Sequence, residues 1–125
     1  MARVLILAQD GLFGKKLSDL VSAYGIESDL CQGLGEAILR LRNHRYYTAV
    51  IDISHEAMDP ADAIGAIKAI SPGLSVIVIT DENRLELEKD IREQGVFYYL
   101  VKPLDEREYT EAVNRALEYS NSCAV

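Results

Sequence analysis

The chain has 125 residues, 49% hydrophobic and 26% charged, with a formal net charge of −7; this describes one globular domain able to bury roughly two thirds of its unfolded surface. The acidic balance argues against a nucleic-acid-binding surface, which needs clustered Lys and Arg, and no apolar run approaches the ~20 residues that span a membrane. Cys31 and Cys123 are too few and too far apart for a disulfide framework or a metal site, so free thiols in a reducing cytoplasm are expected.

Met1-Ala2-Arg3 runs straight into a strand, with no secretory signal pattern. Val4 to Ala8 is continuously apolar, as a strand covered on both faces should be. Phe13, Leu17, Leu20, Val21 and Tyr24 then recur at helical spacing, and Gly25 closes that helix. Ile26 to Cys31 reads as a weaker strand near a sheet edge, because charge interrupts it. Leu34, Ala37, Ile38 and Leu41 form a second helical stripe. Arg40, Arg42, His44 and Arg45, the densest basic group, read as its solvated end.

Thr48 to Ile53 is a third apolar run. Asp59-Pro60 starts a helix, with Asp as N-cap and Pro in the first turn. Ile64, Ile67 and Ile70 supply its stripe, and Ser71-Pro72-Gly73 ends it. Leu74 to Thr80 is the fourth strand. A fourth helix spans about Arg84 to Gln94 with little apolar surface beyond Leu85, Leu87 and Ile91, so it is expected to be loosely held. Phe97 to Val101 is the fifth strand. Tyr109, Ala112, Val113, Ala116 and Leu117 stripe a final helix, and Ser120 to Val125 read as a frayed tail.

Strands alternating with helices predict an α/β fold, (βα)5, with a doubly wound, five-stranded parallel sheet. Residues 1–120 form a single domain and 121–125 a short tail. Right-handed crossovers cover both faces, and ligands of such sheets bind beyond the carboxyl ends of the strands. Asp52, Thr80 and Lys102 end three successive strands there, so an acid, a hydroxyl and an ammonium converge. A buried carboxylate is costly without a partner or a role. The glycines at 11, 14, 33 and 35 complete no dinucleotide fingerprint, and no phosphate-cradling loop follows the first strand, which counts against a phosphorylated-cofactor binder.

Val50-Ile51-Asp52-Ile53 with Met58-Asp59, the run Val76 to Thr80, Tyr99 to Leu104 including Lys102-Pro103, and Gly35-Glu36-Ala37 together resemble the receiver domain of two-component response regulators over residues 3 to 119. The resemblance implies the flavodoxin-like strand order 2-1-3-4-5 and a cis bond before Pro103. It implies Asp52 as phosphoacceptor, Lys102 and Thr80 as its partners, and Tyr99 as a switch aromatic. It also implies a cytoplasmic, non-enzymatic protein whose partners are a sensor histidine kinase or phosphotransfer protein, a protein effector, or a second copy docked through the fourth and fifth helices.

The chain departs from the family on the first strand. The acidic pair that holds Mg²⁺ in receivers falls on Ala8 and Gln9, with Asp10 one position later. Glu56 and Ala57 replace a usual Pro and Gly, Pro60 a common Gly, and Asp81 a small residue after Thr80. Asp81 itself suits an Asx turn or helix cap with Asn83. Mg²⁺ wants carboxylate oxygens in near-octahedral geometry, so a site left to Asp10, Asp52 and Ser54 is expected to hold it weakly. The expected function is therefore a receiver acting by protein–protein interaction, with phosphorylation at Asp52 impaired. The alternative is a phosphorylation-switched single-domain regulator that uses Asp10 or Gln9 in an altered Mg²⁺ site.

Overall fold

Why the apolar runs become strands is visible in where their side chains go. A computed structural model describes residues 3–54, 59–81 and 85–123; the positions discussed above at Glu56, Ala57, Met58, Asn83 and Arg84 lie outside the described residues. The elements follow in the order β1 (Val4–Leu7), α1 (Gly11–Ser22), β2 (Ser28–Cys31), α2 (Leu34–Asn43), β3 (Thr48–Asp52), α3 (Pro60–Ile70), β4 (Ser75–Thr80), α4 (Leu85–Glu93), β5 (Tyr98–Val101) and α5 (Glu106–Cys123). The strands pair in parallel in the order β2-β1-β3-β4-β5, as the resemblance implies.

Strand side chains alternate between faces, and here they feed two cores. Leu5, Leu7, Ala49, Ile51, Val76 and Val78 pack with Ala37, Leu41, Ile64, Ile67 and Ile91 of α2, α3 and α4. Val4, Ile6, Val50, Ile77 and Ile79 pack with Leu17 and Val21 of α1 and Tyr109, Ala112, Val113, Ala116 and Leu117 of α5. Both faces are dry, which is why β1, β3 and β4 carry no alternation of apolar and polar residues.

Local signals set the boundaries. Asp59 Oδ1 accepts from the N–H groups of Ala61 (3.0 Å) and Asp62 (3.2 Å), opening α3 as its sequence predicts. Gly25, at φ 75°, donates to Ser22 O (2.9 Å) while Ile26 N–H donates to Val21 O (3.2 Å); those paired bonds need a left-handed residue that glycine supplies without strain.

Three expectations change. Tyr24 lies past the end of α1 and is 62% exposed, so it is no part of the stripe. Ile70, on the last turn of α3, is also exposed. The chain does not fray at Ser120: α5 runs to Cys123, and the buried Ser120 hydroxyl donates to Tyr47 O (2.9 Å) and lies 3.1 Å from Ser75 Oγ. A side chain that can reach two polar groups at the amino edge of the sheet ties the helix down where composition alone suggests a loose end.

Candidate functional site

The sheet ladder itself assembles the site. Asp52 closes β3 opposite Ile79, and Ile53 N–H continues the ladder to Ile79 O at 2.9 Å. Thr80 closes β4 opposite Val101, and Lys102 N–H donates to Thr80 O at 2.7 Å. Parallel register therefore brings the three strand ends side by side at the carboxyl edge. The Lys102–Pro103 bond is cis.

Asp52 is 2% exposed and both its oxygens are engaged. Oδ1 accepts the Ser54 N–H at 2.9 Å, and Oδ2 lies 3.0 Å from the Lys102 ammonium. The pair meets the demand that a buried carboxylate be both paired and hydrogen-bonded. Behind the ammonium lies an aromatic ring: Lys102 Nζ is 4.1 Å from the centroid of Phe13, on the first turn of α1. Thr80 is buried beside them.

Tyr99, the resemblance's switch aromatic, is 8% exposed and belongs to the core beneath α2, α3 and α4. The Arg92 guanidinium of α4 covers its ring at 5.6 Å and also pairs with Glu88 at 2.9 Å. It is more deeply set than a half-wet sheet aromatic.

The first strand supplies no acid to this edge. Ala8 is wholly buried, while Gln9 and Asp10 are exposed. Asp10 stands at the head of α1, where Oδ1 accepts from Leu12 N–H (3.0 Å) and Phe13 N–H (3.3 Å). Its local use is as an N-cap, satisfying two of the helix's orphan donors. Ser54 Oγ is buried without a hydrogen-bond partner among the described residues, but a lone hydroxyl adds no charge. Among the described residues no three of His, Cys, Asp and Glu are grouped to hold a metal ion. Among the described residues Asp52 is the carboxylate that the strand ends bring to the centre, and the Lys102 ammonium is already paired with it. These residues do not fit a resident Mg²⁺ cage, which calls for several anionic oxygens.

Sequence reasoning brings Asp52, Ser54, Thr80 and Lys102 to one place, and the structure places them there. It misses Phe13, read only as one of a helical stripe. Its apolar type gave no signal of a contact with Lys102, which depends on how α1 sits against the sheet. Asp81, after Thr80, is exposed.

Residues 4–114 match the family model of the response regulator receiver domain. The chain belongs to that family. Among relatives, the transcriptional regulatory protein GlrR of Escherichia coli (strain K12) is 25% identical over 119 residues, covering 95% of this chain but 27% of GlrR; the receiver spans about a quarter of the length of such relatives. A CheY-like receiver domain protein from Methanospirillum hungatei JF-1 superposes with a TM-score of 0.89 at 21% identity, covering 98% of each chain. The beryllofluoride-activated NtrC4 receiver domain dimer gives a TM-score of 0.87 at 25% identity, covering 96% of this chain and 99% of that one. Receivers are signalling domains rather than enzymes in general, and family membership agrees with the order 2-1-3-4-5 seen here.

Proposed function

We propose that this receiver acts as a protein-docking module in two-component signalling, in which Mg²⁺-assisted phosphoryl transfer to Asp52 is impaired. The observation that carries the reading is the state of Asp52: one oxygen on a backbone amide, the other on Lys102, and no group of three His, Cys, Asp or Glu poised for a metal ion among the described residues. Phosphorylation replaces the single charge of the Asp52 carboxylate by about two on the phosphoryl oxygens, a net gain of about one negative charge at a buried position. Transfer needs preorganised positive charge where that charge develops. Lys102 offers one unit, already used by Asp52, and Asp10 serves the α1 cap. Weak Mg²⁺ binding through Asp52, Ser54 and Asp10 remains part of this reading only as a low-occupancy event.

Thr80 and Tyr99 keep the positions of a hydroxyl beside Asp52 and an aromatic under α4; in this reading their arrangement is fixed by the ion pair instead of being cycled by phosphate. The partners are proteins: a sensor kinase or phosphotransfer protein, an effector, or a second copy, for which we take α4 and α5 as the docking face; the NtrC4 neighbour is itself a receiver dimer. The net charge of −7 favours protein over nucleic-acid contact. No helix among the described residues is long and apolar enough to cross a membrane, and we place the module in the cytoplasm.

The test is incubation with acetyl phosphate and millimolar Mg²⁺, followed by intact-mass analysis. The reading expects no phosphoryl adduct above the level of an Asp52→Asn variant. An acid-stable, base-labile adduct on Asp52 that disappears in that variant would overturn it and establish a working phosphorylation switch.

A further inference from the structure

The Lys102 side chain is long, flexible and 23% exposed. Left to itself such a chain keeps its stem on apolar surface and lets the ammonium reach water. Here the ammonium is turned inward, 3.0 Å from Asp52 Oδ2 and 4.1 Å from the centroid of the Phe13 ring. We propose that Phe13 is a positioning residue that pins the Lys102 ammonium on Asp52 through the face of its ring.

The ring is well placed to do this. Its backbone is fixed by the α1 cap, since Phe13 N–H is one of the two donors to Asp10 Oδ1. The ring itself is partly buried against the core shared by α1 and α5. The Lys102 backbone is fixed independently by its bond to Thr80 O. With both anchors set, the ammonium lies between a carboxylate and the negative face of an aromatic ring, the two surroundings that favour its charge. Leucine in place of Phe13 would fill space but present no such face. Asp10 thereby acts on the site indirectly: its carboxylate sets the helix start that aims the ring. The resting site is charge-compensated by the protein's own cation. This rests on the ion pair invoked in the proposed function, but it involves neither metal nor phosphoryl group; a phosphorylated Asp52 would defeat that function and leave the role of Phe13 standing.

The experiment is site-resolved acetylation of surface amines in the full chain by a small N-hydroxysuccinimide ester, read by mass spectrometry. The exposed Lys15 and Lys89 serve as internal references for general loosening. In Phe13→Leu, labelling of Lys102 relative to those references should rise about fivefold, the population factor that an aromatic–cation contact at a half-buried site supplies. Phe13→Tyr and Phe13→Trp, which keep a ring, should stay near the unsubstituted rate. A Phe13→Leu rate within twofold of the unsubstituted protein would overturn the proposal, and so would an equal rise in all three variants. Should Phe13→Leu not fold, the unsubstituted protein still decides: NMR must show the Lys102 ε-methylene protons shifted upfield by the ring, and random-coil values there would also overturn it.

Discussion

Replacing Lys102 by methionine keeps the stem and removes the charge, leaving Asp52 at 2% exposure with the Ser54 amide as the partner already described for its other oxygen. At 3.0 Å the gross attraction lost is about 5 kcal/mol at an effective dielectric near 20. Much of that is offset by the desolvation of the two charges when they pair. Removing one partner of a buried pair costs about 3 kcal/mol at the low end of measured cases, and the low end applies because Lys102 is partly solvated. For a domain of this size, that lowers Tm by about 10 °C. Asp52→Asn should cost far less, within about 1 kcal/mol, because the orphaned ammonium can swing to water whereas the orphaned carboxylate cannot. The double variant should lose about 2 kcal/mol, less than Lys102→Met alone and well short of the sum of the two, a coupling of about 2 kcal/mol in a urea-denaturation cycle followed by circular dichroism. If Lys102→Met costs less than about 0.5 kcal/mol, or if Asp52→Asn proves the more damaging of the two, the pair does not hold the site and the reasoning fails.

Asp10 separates capping from metal binding: Asp10→Ala should lose about 1 kcal/mol while Asp10→Asn, an equally good cap, loses only a few tenths, measured by urea titration without added Mg²⁺. Tyr109→Phe removes a buried hydroxyl that donates to Leu17 O at 3.0 Å, and should cost about 1 kcal/mol for the lost bond, the carbonyl being inside α1 and keeping its helical N–H partner. Burial, with the nearby Glu36 adding to it, pushes the Cys31 thiol from 9.0 up to about 12. Unfolding thus frees a proton in that window, so the thiol's contribution to stability is complete below pH 9 and is lost as pH climbs toward 12. Cys31→Ala should flatten that part of the stability–pH curve relative to the unsubstituted chain, and an unchanged slope would show that the thiol is not linked to folding.

The strand ends were readable because burial on both faces forces strands to be continuous apolar runs, which makes a polar residue such as Asp52 conspicuous where the run stops. The five-helix pattern was readable for the same reason at α5, whose stripe from Tyr109 to Leu117 is buried throughout. It failed at Tyr24 and Ile70 because both fall at helix ends, where spacing no longer fixes which side a residue faces. Ser120 was illegible because its partners, Tyr47 O and Ser75 Oγ, are far away in sequence. At the site, Asp10 showed as an acid beside a missing metal pair, yet its geometry is that of a helix cap two residues before Leu12. Phe13 was hidden by its apolar type: its contact with Lys102 depends on the angle between α1 and the sheet, which periodicity does not encode.

The central claim is that the Asp52 site is held by Lys102 and does not respond to divalent metal or to a phosphate mimic. A Mg²⁺ titration followed by amide NMR, repeated in the presence of beryllofluoride, tests it most directly. Asp52, Thr80, Tyr99 and α4 should show no saturable shifts at millimolar Mg²⁺ with or without the mimic. Saturable shifts at Asp52 and Asp10 that spread with beryllofluoride to Thr80, Tyr99 and α4 would contradict it and reveal a switch built on an altered metal site.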